Sequence, residues 1–156
     1  MICSDGAVVT FGYDENGNLS QIIDPLGSAM NFEYDDSWRI SSVAWSDYSF
    51  ALTYDNFGNI ASVTQNEHTT YYEYNTTGRL TSLTDANGNQ AKMTYDGNDN
   101  LTEAVFADGS SQSWTYDAAG AVASFTTRAG DVIACTWSPD GFLTGTAVAG
   151  VQFEYS

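Results

Sequence analysis

The 156 residues carry 20 acidic and 4 basic side chains, a net charge of −16. Such a balance speaks against nucleic acid and anionic membrane surfaces, which are bound by Lys and Arg, and here Arg39, Arg79, Lys92 and Arg128 are scattered. Ten Tyr, eight Phe and four Trp, with 14 Gly and only two Pro, point to strands punctuated by turns; no window holds apolar residues at helical spacing.

One pattern recurs along the chain at a spacing of 20 or 21 residues. Its anchor is a tyrosine: Tyr13, Tyr34, Tyr54, Tyr74, Tyr95 and Tyr116, then Trp137 in the same role, with Tyr155 starting an eighth copy. Two residues before the anchors stand Phe11, Phe32, Leu52, Tyr72, Met93, Trp114, Cys135 and Phe153, on the same face of a strand. The anchor is followed by Asp14, Asp35, Asp55, Asp96 or Asp117, with Asn75 and Ser138 in the other copies. Such side chains bond backbone N–H groups two residues on and start turns. Four residues after the anchor lies Gly17, Gly58, Gly78, Gly120 or Gly141, with Trp38 and Asp99 as exceptions; glycine there predicts a positive φ. Six residues after the anchor, Leu19, Ile40, Ile60, Leu80, Leu101, Val122 and Leu143 open the returning strand, facing the anchor across the hairpin.

A second turn closes each unit, at Asp24-Pro25-Leu26-Gly27, Asp85-Ala86-Asn87-Gly88, Asp108-Gly109, Ala129-Gly130 and Gly150; turns near Asp47 and Asn66 lack glycine. The prediction is an all-β fold: a repetitive antiparallel meander of about fifteen short strands, two per repeat, curved into an open spiral or partial shell. Leu80 and Leu83, or Ile60 and Val63, are three apart, which requires either bulges or two partly covered faces. Residues 1–156 form a single array of seven repeats plus the start of an eighth, expected to be a segment of a longer protein because terminal repeats need caps. Unprotected sheet ends with few Lys predict self-association through the edges.

The pattern Tyr-Asp-x-x-Gly-Arg/Asn-Leu, as in Tyr54 to Ile60 and Tyr74 to Leu80, resembles the YD repeat of Rhs proteins, found also in insecticidal toxin-complex proteins, wall-associated bacterial proteins and teneurins. The resemblance covers about residues 6 to 156; Trp38, Asp99, Trp137 and Ala121-Val122 depart from it without breaking the period. It implies a β strip spiralling into a hollow shell, a scaffold of a larger secreted or cell-surface protein, with the rest of the parent chain or an enclosed C-terminal toxin as partner. Many Rhs proteins end their core with a self-cleaving Asp-Pro-x-Gly segment. Asp24-Pro25-Leu26-Gly27 resembles it but falls in the first repeat, where a turn is due, and is read as that turn.

Chemistry is sought and mostly not found. The only histidine, His68, reads as a solvated loop residue, and no nucleophile elbow or phosphate loop occurs, so no enzyme and no cofactor are expected. Asp96 to Asn100 resembles a calcium loop but has Leu101 where the sixth-position glycine belongs. Cys3 and Cys135 lack metal-ligand spacing, and Cys135 reads as a small buried hydrophobe. Sequons at Asn18, Asn75 and Asn100 follow from the abundance of Asn in turns. No apolar run is long enough to span a membrane, and the opening residues carry no export signal. The rival reading is a carbohydrate- or receptor-binding adhesion module using exposed aromatic columns, with a glycan as partner. A choline-binding repeat is also about this long but has Trp-Tyr boxes that are absent here.

Overall fold

The computed structural model describes residues 8–155; the expectations about Cys3 and the opening residues concern positions outside that range. Among the described residues there are fifteen strands and no helix, and the strands follow one another in the sheet in sequence order. The chain divides into two compact units, one up to Tyr72 and one from Glu73.

The first unit holds β1 (Thr10–Tyr13), β2 (Leu19–Ile23), β3 (Ala29–Tyr34), β4 (Ile40–Trp45), β5 (Tyr48–Tyr54), β6 (Ile60–Gln65) and most of β7 (His68–Tyr74). The second holds β8 (Leu80–Thr84), β9 (Gln90–Tyr95), β10 (Leu101–Val105), β11 (Ser111–Tyr116), β12 (Val122–Thr126), β13 (Val132–Trp137), β14 (Leu143–Val148) and β15 (Val151–Glu154). Within each unit the pairings are antiparallel, as hairpins with short turns require.

Register resolves the two alternatives left by the three-residue spacing in favour of bulges. Tyr54 stands opposite Ile60, but Thr53 stands opposite Ser62, so Ala61 is an extra residue. The same slip sets Ser20, Ser41, Thr102, Ala123 and Thr144 outside the ladder in their strands. One extra residue restores the parity of the side chains. Ile60 and Val63 therefore share a face with Tyr54 and Leu52, and Val122 and Phe125 share one with Tyr116 and Trp114. Trp114 and Phe125, directly opposite, stack with ring centres 5.3 Å apart.

The other face is polar. Thr53 bonds Ser62 at 2.6 Å, Thr64 bonds Thr69 at 2.8 Å, and Thr115 bonds Ser124 at 2.7 Å. Crowding by flanking strands buries Ser62 and Ser82 (7% and 5% exposed), while Ala104 is the one buried apolar residue among those described.

Most turns share one five-residue frame. In Asp55 to Asn59 the first N–H donates to the Asn59 carbonyl, and the Gly58 N–H donates to the Asp55 carbonyl. Gly58 sits at φ 91, a conformation that L side chains avoid. Gly17, Gly78, Gly120 and Gly141 take it too, and so do the exceptions Trp38 (φ 62) and Asp99 (φ 64). The second turns use the same frame from Asp24, Asp85, Phe106 and Thr127. Asp24 to Ser28 is accordingly an ordinary turn of the series. Near Asp47 and Asn66 the structure has two-residue hairpins instead, with Ser46 (φ 51), Asn66 (φ 46) and Glu67 (φ 72) left-handed without glycine.

Candidate functional site

The feature repeated along the chain is the anchor with its turn. Each bulge stops the hydrogen-bond ladder to the following strand short of the strand's first residue: β4 pairs with β5 only as far as Ser42 and Ala51. The Ile40 carbonyl beyond that point has no ladder partner, and the Tyr54 hydroxyl donates to it at 2.7 Å. Tyr34 does the same for Leu19 (3.0 Å), Tyr95 for Leu80 (2.7 Å) and Tyr116 for Leu101 (2.8 Å). Trp137 keeps the role by donating its indole N–H to Val122 at 2.7 Å. The anchor is thus a latch that supplies a donor where the bulge has removed one. Tyr13, in β1, is 64% exposed. Tyr74 is half-buried in β7.

Behind the latch, the turn carboxylate gathers the loop. Asp14 Oδ1 accepts the N–H groups of Asn16 and Asn18, and its Oδ2 accepts the Asn18 amide. Asp55 and Asp96 repeat this with Asn59 and Asn100. In Asp35 the second oxygen receives Arg39 Nε at 2.8 Å. The fifth position thus favours Asn or Arg because both donate to the second oxygen. Asn75 shows that a neutral amide can hold the backbone half of the motif, accepting Thr77 and Arg79 N–H. The amide of the fifth residue holds the carboxyl groups of Asp14, Asp55, Asp85 and Asp96 below their usual value, and Arg39 does so for Asp35. Asp108 falls to about 2, chiefly through the Ser110 hydroxyl and N–H and then Arg128.

The cations brace neighbouring turns. Arg39 lies 4.2 Å from the centre of the Tyr54 ring and 2.7 Å from Asp35. Arg128 lies 4.0 Å over Phe106 and bonds Asp108 at 2.7 Å. Arg79 approaches Asp99 at 3.8 Å, and Thr77 bonds Asp99 at 2.9 Å.

His68, Cys135 and Asp96, the residues weighed for chemistry, fall in separate strands and turns. His68 opens β7 rather than sitting in a loop, is exposed, and meets the Asn66 carbonyl through Nδ1 at 3.0 Å. Cys135 is a free, half-buried thiol rather than a buried hydrophobe, facing Thr146 across the ladder. Asp96 to Asn100 closes as the standard turn on its own amides. Among the described residues no three His, Cys, Asp or Glu are grouped as metal ligands, and no helix is long and apolar enough to cross a membrane.

Residues 5–138 match the family described as Teneurin YD-shell. No curated protein sequence matches the chain. Among solved structures, the chain is similar to one in the Photorhabdus luminescens Tc holotoxin pore, at 15% identity and TM-score 0.71, covering 94% of this chain and 9% of that one. It is similar to a chain of the TcdB2-TccC3-Cdc42 crystal structure at 16% identity and TM-score 0.72, with the same two coverages. A third likeness, to TcdB2-TccC3 without its hypervariable C-terminal region, has 17% identity and TM-score 0.58 over 90% of this chain and 10% of that one. These likenesses show the fold, and the chain spans about a tenth of the solved chains.

Proposed function

Because the chain belongs to the teneurin YD-shell family, we propose that it is a non-catalytic stretch of wall in the shell of a larger secreted or surface protein, with the tyrosine face lining an enclosed space. The single array of seven repeats then acts as one structural element, and its signature residues from Tyr13 to Gly141 hold the wall together rather than contact a substrate. The observation that carries this reading is the sheet itself: the anchors Tyr34, Tyr54, Tyr95 and Tyr116 are half-buried, and on their face only Ala104 is a buried apolar residue among those described. A sheet face of this kind calls for something to cover it. The solved chains it resembles belong to toxin complexes, which makes an enclosed toxin segment the fitting cargo.

Leu52 and Thr53 lie on opposite faces of β5, Leu52 opposite Val63 and Thr53 opposite Ser62. In the full parent protein, with Cys3 and Cys135 replaced by Ser, a bulky maleimide is expected to modify Thr53→Cys and spare Leu52→Cys. Equal modification of both, or of Leu52→Cys alone, would sink the proposal. The 156 residues on their own are expected to associate through open strand edges, since β15 presents an exposed strand. A single monomeric boundary in sedimentation at high concentration would contradict that.

A further inference from the structure

The identity of Trp38 is not explained by the fold. It occupies the fourth position of its turn, where Gly17, Gly58, Gly78, Gly120 and Gly141 stand in other copies, and it takes the left-handed conformation with φ 62. A bulky side chain is strained there, and burial does not compensate, because Trp38 is 59% exposed. Phe57, in the next turn along the same ends of the strands, is 81% exposed. The two turns are in contact: Arg39 stacks on Tyr54, and its Nη1 lies 3.8 Å from where a side chain at Gly58 would begin. Two aromatics therefore stand exposed on neighbouring turns of the first unit.

Their surroundings are acidic. Asp14, Glu15, Asp35, Asp36 and Asp55 lie in the three turns on this edge, against Arg39 alone, which is already paired with Asp35. A concavity of about 460 Å³ beside Trp38 is walled by Asp14, Asp36 and Phe32. We propose that this turn edge docks a partner protein whose surface sets Lys or Arg around an apolar patch. Exposed aromatics are the side chains that dominate protein interfaces. The carboxylates around them select a basic partner and speed its approach. The strain at Trp38 is then retained for binding.

The test uses a short fluorescent peptide alternating arginine and leucine, with a glutamate-for-arginine counterpart as control. Trp38→Gly changes no charge and suits φ 62, so thermal stability is expected to stay equal or rise. Binding of the basic peptide is expected to weaken about tenfold or more in Trp38→Gly, and to be unchanged in Leu26→Gly, a 92% exposed residue at the opposite strand ends. Equal binding by Trp38→Gly and the unaltered protein would overturn the proposal. So would equal binding of the acidic peptide, or a fall in thermal stability on Trp38→Gly. Trp38-dependent binding to a neutral glycan array or to phosphatidylcholine vesicles in place of the peptide would overturn it too.

Discussion

Acidification is expected first to stabilise the chain and then to unfold it, with a maximum near pH 4 to 5 set by the ordinary carboxylate range. At neutral pH the charge of −16 opposes a compact state, so early protonation relieves repulsion. The turn carboxylates act in the other direction. Asp14, Asp35, Asp55, Asp85 and Asp96 titrate lower in the folded chain than unfolded, held by amide and backbone N–H bonds or, at Asp35, by Arg39. A lowered folded pKa means that the unfolded chain takes up protons first as the pH falls. Their contribution is complete above the unfolded value near pH 4 and is lost as the pH drops through the folded values, ending with Asp108 at about 2. The same bond set recurs in turn after turn, so each of these carboxylates contributes a loss of the same sign. Thermal melts from pH 7 to pH 2 check this, with added salt to remove the repulsive limb. Changing Asp14, Asp55 and Asp96 to Asn should flatten the acid limb, since Asn75 already holds its backbone N–H groups without titrating. An unfolding midpoint constant from pH 5 to pH 2 would show that these turns are held by glycine geometry and ladder pairing alone.

Much of this fold is legible because the repeat writes the same local chemistry many times. Tyr, Asp, Gly and an aliphatic at fixed offsets give strand, turn and strand, and the facing of Tyr54 and Ile60 follows from the loop length. The bulge is only half legible. Ile60 and Val63, three apart, leave a bulge and a second covered face as alternatives, and only the register shows that Ala61 drops out. The turns at Ser46 and Asn66 escape a glycine-based reading because Ser, Asn and Glu there bear positive φ themselves. The turns at Asp108-Gly109 and Ala129-Gly130 are legible from their glycines, but their opening residues are not: Phe106 and Thr127 lack the leading carboxylate, and Asp108 and the Thr127 hydroxyl supply the acceptor instead. The latch itself has no local sequence signal, since its acceptor is a backbone carbonyl fourteen or fifteen residues back that every sequence possesses. The substitution of Trp137 for Tyr is the one trace it leaves, as the other aromatic with a polar donor.

Tyr54→Ala is expected to destabilise the chain by about 3 kcal/mol, and Tyr54→Phe by about 1 kcal/mol. The ring is half-buried opposite Ile60 and carries Arg39 at 4.2 Å, which places its loss at the low end for a buried aromatic. Phe keeps the ring and the Arg39 contact and removes only the donor to the Ile40 carbonyl at 2.7 Å. That carbonyl is then left to water, so the cost stays near that of one ordinary hydrogen bond. Urea unfolding of the three proteins measures both steps. If Phe costs as much as Ala, the ring packing is idle; if Phe costs nothing, the latch is. Trp137→Phe supplies the independent check, because its indole makes the same bond to Val122 at 2.7 Å and should lose the same amount. Agreement between the two Phe variants would mean that the position is defined by a donor on an aromatic stem. Tyr serves there because it reaches the carbonyl that the bulge exposes, and Trp can replace it because it reaches the same one.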